Sequence, residues 1–97
     1  MSVTFYDPAD PPRFNSENFE EKGIWLNFSN ANGLTMLYYM GLEAKDYGEM
    51  DGADFRRCVH RGIETVKLLN IPQKIYFLDR FDQMMGMFIN SKVVKWD

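Results

Sequence analysis

The chain predicts an α+β domain, with about three helices packed on one face of a small two- or three-stranded antiparallel sheet. Three observations lead there. Apolar residues recur at three- and four-residue steps over residues 53–69 and again over residues 75–88, the period of amphipathic helices. Short β-branched and aromatic runs at residues 3–6, 24–28 and 92–96 have the length and composition of strands. The connections between helical segments are short, which favours antiparallel neighbours. At 97 residues the chain is one domain, residues 1–97, able to bury roughly 65 per cent of its unfolded surface.

Residues 3–6 (Val-Thr-Phe-Tyr) form the first predicted strand, ended by Pro8, Pro11 and Pro12, which cannot donate to a ladder. Residues 15–22 carry Glu17, Glu20 and Glu21, with Phe14 and Phe19 as possible anchors, and are expected to be one helical turn or a fixed loop. The organising stretch is residues 24–70. It begins with the strand at 24–28 and passes into Ser29-Asn30-Ala31-Asn32-Gly33, whose side chains suit a helix N-cap. Capping is the expected role of Asn30 and Asn32, and ligand contact is the alternative. Leu34, Leu37 and Tyr38 give a short helix, with Gly41 placed for a left-handed C-terminal cap.

Residues 43–52 fit neither period and are expected to be an acidic loop. Asp51 stands at an N-cap position and Asp54 at the capping-box position three residues on. Phe55, Val59, Gly62 or Ile63, Val66 and Leu69 then define a helix of about 17 residues, ending before Ile71 and Pro72. Ile75, Leu78, Phe81 or Asp82, Met85 and Phe88 place a third helix over residues 73–90, with a strand at 74–78 as the alternative. The Lys-flanked run at 92–96 closes the chain as a strand of the kind found at exposed edges.

With 45% hydrophobic, 15% aromatic and 26% charged residues, the composition is that of a soluble globular protein. Met84, Met85 and Met87 are expected to fill the core. The N-terminus lacks a basic segment followed by an apolar run, and no window approaches a membrane span, so the expectation is a cytoplasmic protein with no membrane partner. The single Cys58 fits a reducing compartment.

No catalytic signature is present. Acyl transfer needs a nucleophile beside a base, and Cys58 and His60, two apart on a helix, do not face each other. No phosphate-cradling glycine loop or zinc-binding helix occurs. Asp46, Glu49 and Asp51 lack the carboxylate spacing of a calcium loop. The expectation is a non-enzymatic protein without metal or cofactor.

Charge is more informative. Residues 1–54 hold ten acids against three bases, a balance of −7, while residues 55–97 hold four acids against eight bases, a balance of +4. The net −3 therefore hides a polarised chain, which points to an electrostatic partner. Glu43, Asp46, Glu49, Asp51 and Asp54 are the candidate acidic patch, with Tyr39 and Tyr47 as apolar rim contacts. This patch needs its carboxylates to gather on an outward surface with no internal positive counterpart. Arg56, Arg57, His60 and Arg61 form the alternative, a basic helix face able to contact phosphates.

Residues 26–32, Leu37, Gly41, Leu42 and residues 48–57 resemble a pattern in small proteins of phages and bacterial mobile elements. Phe5, Tyr6 and Asp7 with Pro11, Pro12, Arg13, Phe14 and Asn15 are similar to the start of small anti-CRISPR inhibitors of type I CRISPR surveillance complexes. The first match covers about a third of the chain and rests on caps and turns, which implies fold more than activity. The second implies a monomeric, phage-encoded inhibitor in the cytoplasm of a bacterial host. Such a protein would bind basic subunits of an RNA-guided surveillance complex and block target-DNA recognition through a DNA-mimicking acidic surface. The net charge departs from that of strong DNA mimics, so mimicry would have to be local. A small nucleic-acid-binding module using the basic helix face is the competing expectation.

Overall fold

The computed structural model describes Met1–Asp97. Nine elements follow in order: β1 (Ser2–Tyr6), β2 (Arg13–Asn15), β3 (Glu20–Lys22), β4 (Trp25–Ser29), α1 (Asn30–Tyr39), β5 (Gly48–Asp51), α2 (Gly52–Lys67), α3 (Lys74–Met87) and β6 (Val93–Trp96). The α+β class and the three helices agree with the sequence. The sheet is larger than expected, having four antiparallel strands in the order β4-β1-β6-β5, and β2 and β3 form a separate two-stranded hairpin.

Each turn of the chain has a local cause. β1 ends at Asp7, whose buried carboxylate accepts from the Ala9 N–H at 2.8 Å and from the Ser91 hydroxyl at 2.7 Å. The chain then bulges: Asp7 N–H donates to Ile24 O and Ile24 N–H to Asp10 O, so the prolines are looped out between two ladders. Beyond the bulge, β2 and β3 continue as an arm against which no helix packs. The whole molecule measures 45 × 26 × 22 Å. The expected helical turn or loop at residues 15–22 is therefore a hairpin, its tip turned by Phe19 at φ 56°.

Ser29 caps α1 by accepting from the Asn32 N–H at 3.2 Å, and Gly41 leaves the helix at φ 80°, as the glycine indicated. Asn30 and Asn32, expected to cap, instead lie within the first turn, where the Asn32 amide donates to the Tyr76 hydroxyl at 3.3 Å. Asp51 caps α2 by accepting from the Ala53 N–H at 3.1 Å. Asp54 does not complete a capping box. Its carboxylate pairs with Arg57 instead of reaching back to the Asp51 N–H.

Three further expectations are corrected. The acidic stretch 43–52 is not all loop, because Gly48–Asp51 is an edge strand paired to β6. β6 is not an edge: it lies between β1 and β5, and its lysine, Lys95, sits there because one sheet face is open to solvent. β4 is the other edge. Residues 74–78 are helical, and α3 spans Lys74–Met87 rather than residues 73–90. Its inward side is Phe77, Phe81 and Met84, continued by Phe88, whereas Ile75 is 84% exposed.

The core is one cluster fed by every layer. Val3, Phe5, Phe28, Val94 and Trp96 come from the sheet, Met36 and Leu37 from α1, Phe55, Val59 and Val66 from α2, and Phe77, Phe81 and Met84 from α3. α1 and α2 pack on the sheet and α3 packs on α2. No helix is long and apolar enough to cross a membrane.

Candidate functional site: the open sheet face

Strand alternation sends Val3, Phe5, Phe28, Val94 and Trp96 to the core, so their neighbours point the other way. Directly paired residues share a face. One outward row therefore runs Trp25, Tyr6, Lys95, Glu49 across all four strands. Asn27 and Thr4 form the next pair, joined by a hydrogen bond of 2.8 Å, and Asp51 lies opposite Val93 on the β5 side. Helices cover only the inward face.

Tyr6, Tyr47, Glu49, Lys95 and Asp97 line a shallow depression of about 310 Å³ at this face. The Tyr6 hydroxyl donates to Asp97 at 3.4 Å. Its pKa is raised above the usual phenol value, first by burial, then by the charge and hydrogen bond of Asp97, and then by the charge of Glu49. Two carboxylates thus bias this spot negative despite Lys95, whose ammonium is 3.9 Å from Glu49.

The five acids of the expected patch all lie exposed, following the chain from the loop after α1, along the β5 edge and into the first turn of α2. They are not free of positive counterparts. Glu43 pairs with Lys45 at 3.1 Å, Glu49 with Lys95, and Asp54 with Arg57, while Asp51 caps α2. Asp46 alone has neither a cation within salt-bridge distance nor a capping role. These pairs are solvent-exposed, where an ion pair is worth about 0–1 kcal/mol, so they reduce the negative surface without removing it. Tyr47 is exposed, and Lys45 lies 5.9 Å from its ring centroid. Tyr39 is half-buried with its ring edge-on to Phe77 at 5.5 Å, so it serves the core rather than the rim.

The basic face of α2 is depleted in a similar way. Arg56 turns inward and donates to Phe88 O and Ser91 O, both at 2.9 Å, closing the C-terminal end of α3. Arg57 is held by Asp54, leaving exposed His60 and Arg61 without an acid. Arg56→Met is expected to lower stability by about 2 kcal/mol, since it strands two carbonyls that shared a charged donor. Urea unfolding would check this, and a loss below about 0.5 kcal/mol would mean water replaces the guanidinium freely.

Half-buried Cys58 and exposed His60 do not form a dyad, and no three His, Cys, Asp or Glu side chains converge on a point. Tyr6, Trp25, Lys95 and Asp97 are the site residues that sequence reasoning missed. The alternation of Val3 and Phe5 with Thr4 and Tyr6 carried part of the signal, but the pairing of β1 with β6 did not follow from any local pattern. Compared with known proteins, the chain matches no family model, no curated protein and no solved structure.

Proposed function

We propose that this chain is a non-enzymatic inhibitor that docks its open sheet face onto a Lys/Arg-rich surface. The observation that supports this is the helix-free face of the sheet, whose outward row runs from Trp25 at one edge through Tyr6 and Lys95 to Glu49 at the other. The Asp97 carboxylate accepts from the Tyr6 hydroxyl, Tyr47 lies in the same depression, and exposed Asp46 and Asp51 flank Tyr47 and Glu49 along the chain. Aromatic rings with flanking carboxylates suit arginine and lysine, which stack on the ring and pair with the acid. A surface that normally grips nucleic-acid phosphates offers those side chains in quantity. The resemblance to anti-CRISPR inhibitors makes the basic subunits of a CRISPR RNA-guided surveillance complex the partner to test, in the cytoplasm of a phage-infected bacterium. Direct nucleic-acid binding is the weaker reading, because Arg56 and Arg57 are already engaged within the chain.

The test is binding to a reconstituted type I complex with and without target DNA, at several salt concentrations. The wild-type chain is expected to bind, compete with DNA and weaken as salt rises. A variant combining Asp46→Asn, Glu49→Gln and Asp97→Asn is expected to bind about tenfold more weakly, with a shallower salt dependence. Unchanged affinity and salt dependence in that variant would remove the charge mechanism. Retention of naked DNA or RNA by the wild-type chain would favour the nucleic-acid module.

A further inference from the structure

We infer that two copies of this chain associate by seating the β2–β3 arm of one in the α2/α3 groove of the other. The arm poses the problem that this contact solves. A two-stranded hairpin of three-residue strands is marginal alone in water, and this one packs against no helix. It nevertheless carries two phenylalanines side by side, Phe14 at 59% exposed and Phe19 at 81%, with ring centroids 6.3 Å apart. Two uncovered rings on a projecting arm are a large apolar surface facing water. Glu17, Glu20 and Glu21 surround them, and no lysine or arginine lies between residues 14 and 21. The arm's two cations are at its base, where Arg13 pairs with Asp10 and Lys22 with Glu20.

The groove has the complementary chemistry. It is an open hollow of about 650 Å³ between α2 and α3, with Met85 and Ile89 as its apolar residues and Arg56, Arg57, His60 and Arg61 as its basic ones, Arg56 being held by the Phe88 and Ser91 carbonyls. Ile89 is 54% exposed. Asp54 pairs with Arg57, and no acid pairs with His60 or Arg61. An arm that is aromatic and acidic thus meets a groove that is aliphatic and basic. The arm does not fill its own groove, since neither of its strands packs on α2 or α3. A second copy is the partner for which both surfaces are present. Reciprocal exchange closes at two copies, whereas one-way seating would build a longer chain. The contact lies apart from the open sheet face and does not depend on the function proposed for it.

Sedimentation of the purified chain over micromolar to millimolar concentrations tests this. The average mass is expected to rise with concentration at low salt and to fall back at high salt. Phe14→Ser with Phe19→Ser, and separately Arg57→Glu with Arg61→Glu, are each expected to weaken association by about tenfold or more. Both variants change exposed side chains, and circular dichroism would confirm that they fold. A third variant, Glu17→Lys with Glu20→Lys and Glu21→Lys, is expected to stay monomeric alone and to associate when mixed with the Arg57→Glu, Arg61→Glu variant. A wild-type chain that remains monomeric throughout would overturn the inference. Association that survives both the arm and the groove substitutions, or a charge-swapped pair that fails to associate, would do the same.

Discussion

Phe55→Ala is expected to cost about 3–5 kcal/mol, a large part of the roughly 5–15 kcal/mol that holds a domain of this size together. Phe55 is fully buried and joins three elements. From α2 its ring meets Phe5 of β1 at 5.9 Å, Trp96 of β6 at 6.2 Å and Phe88, just past α3, edge-on at 5.6 Å. Phe5 in turn touches Phe28 and Trp96, so one ring removed leaves a cavity walled by other rings. Aromatic walls collapse poorly into a hole, which places the cost toward the upper end of the range. The urea midpoint should fall with the slope unchanged, and the melting temperature should drop by roughly 4–8 °C per kcal/mol lost. A loss near 1 kcal/mol would show that the cluster repacks and that α2 is held mainly by other contacts.

Gly52→Ala is the second large effect, from a change of one methyl group. A Cβ at this position would stand 1.8 Å from Ser91 O and 2.8 Å from Ser91 C, both backbone atoms. The opposing turn has little freedom to retreat. Gly52 N–H donates to Lys92 O at 2.8 Å, Arg56 donates to Ser91 O, and the Ser91 hydroxyl donates to buried Asp7. The new methyl must break one of these ties or displace the start of α2. A cost of about 3 kcal/mol is expected, at the top of the usual range for overpacking. Gly86→Ala is the internal control. Nothing lies within 4 Å of a Cβ there, and removing a helix glycine should stabilise by about 1 kcal/mol. Opposite shifts of the two midpoints in urea would confirm the assignment, and equal shifts would contradict it.

How far the sequence foretold this depends on whether the cause was local. α2 was readable because Phe55, Val59, Gly62 and Val66 keep one phase over about three turns and Asp51 marks the start. The caps at Ser29 and Gly41 act through side chains and φ angles a few residues apart, and they too were readable. α3 was found, but its buried side was misplaced. Ile75, Tyr76, Phe77 and Leu78 are apolar all round the helix, and the phase was chosen by Tyr39 against Phe77 and by Gly62 against Phe81. β5 was missed because Gly-Glu-Met-Asp offers only Met50 as an inward apolar side chain, and Gly48 is needed there because the Trp96 indole lies over it. The arm was missed because its strands are rich in Asn and Glu, which have low strand propensity. The candidate site suffered most: its outward row joins four strands far apart in the chain, and only their register put Tyr6 beside both Trp25 and Lys95.

The central position of β6 has a consequence during synthesis. Residues 2–29 can pair β1 with β4 as soon as they emerge from the ribosome, and α1 can dock on that hairpin. β5 has no partner in the main sheet except β6, and the β1 edge waits for the same strand across a separation of 91 residues. While Val93–Trp96 is still inside the exit tunnel, the two halves of the sheet cannot be joined, and the ring cluster lacks Trp96. Such non-local closure slows folding and prolongs the exposure of apolar surface. Nascent chains stalled a few codons before Val93 should therefore be protease-sensitive and chaperone-bound, whereas released chains should resist digestion.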